Sequence, residues 1–387
     1  MLPFRQLLLS YLFFFSYTQA ADFKRNAEEG LKTLQNWYNP TTGLWDSTGW
    51  WNSGNCLTII ADFAVFDAYA AAVASVVFSV TFTQAQKADV HLRKRILPDG
   101  MIQSYYSKPP TTNKSLRRRG FPGFINAYYD DEGWWALGWI KVYDLTGDQK
   151  YLQMARDIFQ DMAGGWVDDR CGGGIWWDKQ HTYLNAIANE LFLSVAASLA
   201  TRATDNAKYY LDWAIKEWDW FKQTGMINEQ NNINDGLDLQ TCKNNGANVW
   251  SYNQGVILGG LVELTKAAAP NDDAYINQAH AIAGAAISLL TDENGILHDN
   301  CEPNCGADGP QFKGIFMRNL QILHQASPKP EYQDFIRKNA DSVWANRNEI
   351  NQFGVNWAKP FEPPALASTH SSALEALIAA AAIIMEY

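Results

Sequence analysis

Two aspartates stand side by side at Asp130-Asp131, between Tyr128-Tyr129 and Trp134-Trp135. Two carboxylates at the start of an apolar, aromatic-flanked segment cannot both stay charged cheaply, so one pKa is expected to rise while the other falls. A pair split in this way supplies a proton donor and a nucleophile, the requirement for cleaving a glycosidic bond. Neighbouring residues have Cα atoms about 3.8 Å apart. Their carboxyls are therefore expected nearer the ~5–5.5 Å of retaining enzymes than the wider gap of inverting ones. The plainer role for the same residues is helix capping, since backbone N–H groups and the helix dipole favour Asp at that place. Further polar and aromatic residues fall where helices are expected to begin: Asn55, Trp134, Asn189, Tyr252, Asn253, Gln254 and Lys313. Amides bond paired hydroxyls and aromatic faces stack on apolar C–H faces, so these are candidate contacts for a flat, weakly polar ring such as a sugar. Each has a structural alternative. Trp134 could be core, Asn189 could hold a neighbouring loop, and Lys313 could pair with Asp308. Arg318, one turn further in, reads as a buried cation beside Glu190 or Asp131.

Other chemistries find little support. There is no HExxH, Walker A or GxSxG motif. The six histidines are scattered without ligand spacing, and neither a metal site nor a cofactor is expected. An Asp130-Asp131-Glu132 magnesium site would need a second acidic cluster and basic groups for a diphosphate. Asp168-Asp169 and Asp235/Asp238 read as loop turns. The formal charge of −10 excludes a typical nucleic-acid binder, and the lone Arg117-Arg118-Arg119 run reads as solvated loop.

These side chains need elements to position them. The 387 residues are 47% hydrophobic and include sixteen Trp, ample for a packed core. Residues 1–20 have a basic start at Arg5, an apolar stretch from Leu7 to Phe15 and a Thr18-Gln19-Ala20 end. They read as a secretory signal peptide. Asn113-Lys114-Ser115 is a glycosylation acceptor, with Asn113 the modified residue. The apolar run Leu374–Tyr387 contains Glu375 and lacks a polar spacer, so no membrane or lipid anchor is expected. Five cysteines leave at least one thiol unpaired in an oxidising compartment. Cys301 and Cys305 could pair locally, or one could reach Cys242. A glycine followed by mostly apolar residues recurs six times, at Gly43, Gly100, Gly174, Gly225, Gly295 and Gly354, roughly every sixty residues. In several units an amphipathic helix is expected to stop just before the glycine, as over Tyr209 to Phe221. After it a second helix rich in Gly and Ala follows, as in Gly255–Gly260 and Ala376–Ala382. Gly is costly inside a helix, so its use there indicates contact on most sides. Six inner helices ringed by six outer ones form an all-α (α/α)6 toroid, and residues 21–387 are read as a single catalytic domain. The inner-helix N-termini then gather around one funnel.

The segment Tyr128-Tyr-Asp-Asp-Glu-Gly-Trp-Trp-Ala-Leu-Gly-Trp139 resembles the signature of glycoside hydrolase family 76, the endo-α-1,6-mannanases and their fungal cell-wall relatives. The resemblance continues through Cys171–Trp177, Asn185–Phe192, Trp250–Gly255 and Phe312–Arg318, and covers roughly residues 26 to 384. It implies an (α/α)6 fold and a retaining mechanism, with Asp130 as nucleophile and Asp131 as general acid/base. The leading reading is a secreted, endo-acting α-1,6-mannan hydrolase, and a monomer is expected. Two other readings stay open: a cell-wall glycan transglycosidase using the same covalent intermediate, and a mannan-binding protein without catalysis.

Overall fold

The computed structural model describes residues 22–88, 91–96, 102–107, 120–167, 169–268 and 273–384. The expected leader at 1–20, the Asn113 acceptor, Arg117-Arg118-Arg119 and Asp168 lie outside these.

Twelve helices alternate between two rings among the described residues. The outer set is α1 (residues 22–35), α3 (Ala68–Gln84), α5 (Gln149–Ala163), α7 (Ala207–Gln223), α9 (Ala274–Leu289) and α11 (Pro330–Ala345). The inner set is α2 (Trp50–Ala64), α4 (Tyr129–Thr146), α6 (Ala186–Arg202), α8 (Ser251–Ala268), α10 (Phe312–Ala326) and α12 (Ala367–Ile384). Each inner helix packs on the next, and α12 closes on α2. The expected toroid is therefore observed.

Composition dictates the layering. In α5 only Tyr151, Leu152, Ala155, Ile158, Phe159 and Met162 are buried, one stripe at helical spacing. In α6 every residue from Ala186 to Ala200 is buried. Small residues make that possible. A Cβ at Gly314 would lie 2.6 Å from the Ser372 Cα, and one at Gly255 would lie 2.6 Å from the Phe316 Cα. Hence α8, α10 and α12 touch backbone to backbone. Side-chain caps set several starts: Asp67 accepts from the Ala70 amide, Asp148 from Lys150 and Asn185 from Ala188.

The recurring glycine differs in place from the expectation. Among the described glycines only Gly225 sits directly behind a helix, as expected for that unit; Gly43 and Gly174 lie eight or more residues beyond theirs. Gly43, Gly174 and Gly295 instead belong to short antiparallel turns in the linkers, paired as Tyr38↔Trp45, where β1 (Tyr38–Asn39) meets β2 (Leu44–Trp45), Trp166↔Ile175 and Thr291↔Leu297. Their positive φ angles of 67°, 87° and 72° explain the glycine. In the second linker the same device is enlarged into a hairpin, β3 (His91–Ile96) on β4 (Ile102–Ser107), with Lys94 opposite Ser104. Amide side chains pin these turns. Asn189 grips Ile175, accepting its N–H at 2.7 Å and donating to its carbonyl at 3.0 Å. Gln254 grips Ile233 in the same way at 2.8 and 2.8 Å.

Disulfides join Cys171 to Cys242 and Cys301 to Cys305. Cys56 is the free, buried thiol, pushed up to about 12 by burial. No described helix is long and apolar enough to cross a membrane.

Candidate active site

All six inner-helix N-termini point to one end of the toroid, and the aspartate pair lies there in the first turn of α4. Tyr128 begins that helix without a side-chain cap. Neither aspartate therefore serves as its N-cap. Both are buried, Asp131 completely. They converge, because a single ammonium touches both. Lys94, from β3, reaches Asp130 Oδ1 and Oδ2 at 3.1 and 3.0 Å and also bonds Asp131 Oδ1. The remaining contacts fix each carboxylate. Asp130 Oδ2 accepts the Trp177 indole N–H at 3.1 Å, and its Oδ1 accepts the Asp131 amide at 2.9 Å. Asp131 Oδ2 accepts Asn126 Nδ2 at 2.7 Å.

Electrostatics acts on Asp131. Burial pushes Asp131 up to about 7; Lys94 opposes this, Asp130 adds to it, and Asn126 opposes it. Burial alone would lower the Lys94 ammonium, but Asp130 and Asp131 outweigh it and hold it above its ordinary value. Glu132 points elsewhere. It accepts the Asn126 amide at 2.9 Å and pairs with Lys179 at 2.8 Å. It cannot join the pair in a metal cage, and the described residues contain no cluster of three metal-ligating side chains.

Aromatic walls surround the pair. Trp177 and Tyr128 lie 5.1 Å apart, and Tyr183 packs with them. The Tyr183 hydroxyl donates to Asp235 at 2.8 Å. Tyr252 stacks on Phe312 at 3.8 Å. Burial raises the Tyr252 phenol well above its usual value, with Asp235, Asp130, Glu190 and Asp308 adding to the effect. The Tyr252 hydroxyl thus shares a field with four acids from four parts of the chain. Glu190 is buried with neither carboxylate oxygen bonded, and burial holds it well above the usual range. Asn253 is likewise buried with both amide atoms unbonded.

Several expected sugar contacts are engaged inside the protein. Asn189 and Gln254 hold the linker turns described above, which leaves their amides no free hydrogen-bonding edge. Lys313 donates to the Val355 carbonyl at 2.7 Å and pairs with Glu302, rather than Asp308, at 2.5 Å. Trp134 stacks on Trp51 at 5.4 Å and lines an axial cavity of about 330 Å³, with Thr58, Ser194 and Val256, below the pair. Asn55 Oδ1 accepts Arg318 Nη2 at 2.7 Å, while Arg318 Nη1 pairs with Glu375 at 2.5 Å. Arg318 is thus a buried cation as expected, but its partners are Glu375 and Asn55. Asp238 forms the expected loop turn, accepting the Gln240 and Thr241 amides. Asp235 does not; it is buried beneath Tyr183.

Residue reading missed Lys94, Asn126, Trp177 and Tyr183, and it set Asp308 beside Lys313 instead. Asp308 accepts the Trp51 indole at 2.7 Å and the Ser104 amide at 2.7 Å, clasping the hairpin from the far side of the funnel. The signal for Lys94 was available: two short runs flank Pro98-Asp99-Gly100, a hairpin sequence.

An (α/α)6 toroid with two adjoining buried carboxylates beneath aromatic walls defines a protein of the glycosidase class. The chain belongs to glycosyl hydrolase family 76, whose profile matches residues 24–386. It is 28% identical over 333 residues to the mannan endo-1,6-alpha-mannosidase DFG5 of Candida albicans, covering 81% of this chain and 65% of that one. The chain spans about half to two thirds of the length of the curated relatives it matches. Among solved structures it is similar to an inactive variant of the alpha-1,6-mannanase GH76A of Salegentibacter sp. HEL1_6 in complex with alpha-1,6-mannotriose. That similarity has a TM-score of 0.74 at 21% identity, over 93% of this chain and 99% of that chain. Dfg5 from Chaetomium thermophilum in complex with glucosamine gives a TM-score of 0.72 at 18% identity, over 95% and 91% of the chains.

Proposed function

We propose that the chain is a retaining, endo-acting hydrolase of α-1,6-linked mannan that works outside the cell. The observation that carries this reading is the pair itself: two adjoining carboxylates share one ammonium, and Asp131 is held at about 7 by burial. A carboxyl at that value can hold a proton in mildly acidic to neutral medium and lose it to a leaving group. Asp130 attacks the anomeric carbon and forms a covalent glycosyl ester while Asp131 protonates the departing oxygen. Asp131 then takes a proton from water, whose oxygen displaces Asp130 and releases the sugar with retained configuration. Trp177 steers the nucleophile by bonding Asp130 Oδ2, and Asn126 orients the acid/base. The substrate class is supported by the names of the fungal relatives and by the mannotriose bound to the GH76A variant. The extracellular setting is supported by two disulfides, bonds typical of oxidising compartments, and by the leader read at residues 1–20.

The test is incubation with linear α-1,6-mannan, with product sizing and an NMR time course. A spread of short oligomers whose new reducing ends first appear as the α-anomer is the expected result. First appearance of the β-anomer rejects the mechanism. Elongated products on addition of an acceptor sugar would reassign the chain to glycan transfer.

A further inference from the structure

The Lys94 ammonium stands where the reaction must occur. A nucleophilic oxygen has to lie roughly 3–3.5 Å from the carbon it attacks, and a general acid about 2.6–3.2 Å from the oxygen it protonates. Both requirements converge on the space between Asp130 and Asp131, which Lys94 Nζ fills, at 3.0 and 3.1 Å from the Asp130 oxygens and bonded to Asp131. The surroundings suit a cation. Nζ lies 4.8 Å from the centre of the Tyr128 ring and 5.9 Å from that of Trp177. Positive charge also develops on the anomeric carbon in glycoside cleavage, so Lys94 imitates the electrostatics of the reacting sugar. Its side chain is 1% exposed, a burial that lysine reaches almost only when paired.

The hairpin is also fastened at its backbone on both sides of the funnel. The Lys94 amide donates to the Tyr128 hydroxyl at 3.1 Å. Directly across the ladder, the Ser104 amide donates to Asp308 Oδ2 at 2.7 Å. These are specific bonds from two inner-helix approaches to one strand pair.

We propose that the β3–β4 hairpin is a built-in plug, with Lys94 as an internal competitor for the seat of the reacting sugar, so that substrate binds only when the hairpin withdraws. This inference rests on the catalytic assignment of Asp130 and Asp131. A ligand that binds only the withdrawn form has its dissociation constant raised by the reciprocal of that form's population. Releasing the plug therefore lowers the apparent constant without adding a single contact to the sugar.

The test compares the full chain with Lys94→Met, Lys94→Arg and Ser104→Pro. The last keeps Lys94 and both aspartates and removes the N–H that Asp308 holds, together with a hydroxyl that bonds nothing. With α-1,6-mannotriose as probe, followed by tryptophan fluorescence, Lys94→Met and Ser104→Pro should bind at least about tenfold more tightly, the gain expected if one molecule in ten or fewer is open. KM on linear α-1,6-mannan should fall in step, and Lys94→Arg should restore weak binding. Unchanged or weaker binding in both releasing variants overturns the plug. So does a loss of kcat in Lys94→Met with no change in binding, which would make Lys94 a helper in the chemistry. If no form of the chain binds or cleaves the mannan, the substrate reading has failed, and hydrogen exchange on the ligand-free chain decides the plug. Amides of residues 91–96 and 102–107 should then exchange at least about tenfold faster in Ser104→Pro and Lys94→Met. Unchanged exchange overturns the proposal.

Discussion

Asn126 offers a direct handle on the proton donor. Its Nδ2 donates to Asp131 Oδ2 at 2.7 Å, and this bond favours the ionised carboxylate. Removing it with Asn126→Ala should raise the Asp131 pKa. A hydrogen bond to a charged group contributes about 1.5–3 kcal/mol, and one pKa unit corresponds to about 1.4 kcal/mol. Asp131 is fully buried, so solvent does little to replace the bond. The expected rise is about one to two units, the lower end applying if a water enters the space left by the amide. Catalysis by a protonated Asp131 falls away on the alkaline side, with a midpoint in the unaltered chain at about 7. At pH 8 roughly a tenth of the plateau rate remains, against about half or more in the variant. The assay is kcat/KM on α-1,6-mannan from pH 4 to pH 10, each curve scaled to its own plateau. Asn126 Oδ1 also accepts the Tyr128 amide, so the melting temperature is followed alongside. An alkaline limb that stays in place, or moves to lower pH, refutes Asp131 as the proton donor.

Asp130→Asn should abolish the covalent route, and Asp131→Asn should lower kcat by about 10²–10⁴-fold; circular dichroism should show both folded, since Lys94 keeps one carboxylate partner in either. Trp134→Ala should lower stability by about 3–5 kcal/mol in denaturant titrations, since its ring is packed on Trp51, whereas a change confined to KM would restore it as a sugar contact. Thermal stability should be higher at pH 5 than at pH 8.5. Burial holds Asp299 at about 6, Asp131 at about 7 and Glu375 at about 8. Groups raised on folding stabilise fully below their unfolded values and lose that contribution as pH climbs through the folded ones. His370, pulled by burial down to about 4, acts in the opposite sense between pH 4 and 6.5, but the three acids outnumber it. A melting temperature that rises steadily to pH 8.5 would show that these acids are not held protonated.

The toroid was legible because the two helix sets differ in composition for a physical reason. Residues such as Gly255 and Gly314 permit backbone contact in the inner ring, and charged faces such as that of α5 demand solvent. The aspartate pair was legible because two adjoining carboxylates between aromatic flanks stand out in the sequence. The polar residues at helix starts misled. Asn189 and Gln254 are amides in the funnel region, but their edges copy a strand partner for Ile175 and Ile233, and the residue type is the same for either task. Lys94 escaped because it lies between Arg93 and Arg95, a basic triplet that by composition alone belongs in solvent. Only the register of the hairpin turns it inward. Asp235 and Asp308 were illegible for a different reason: their partners Tyr183, Trp51 and Ser104 are brought together by closure of the ring, which no local pattern encodes.

That closure depends on the final stretch of the chain. α12 seals the gap between α10 and α2 and supplies Glu375, the bonding partner of Arg318. Its His370 ring bonds the Gly30 carbonyl at 2.8 Å, and the Ala367 amide bonds the Ser47 hydroxyl at 3.0 Å. Without α12 the ring of inner helices is therefore open between α10 and α2. A protease cut ahead of Ala367 is expected to cost the whole toroid its closure rather than trim one edge of it.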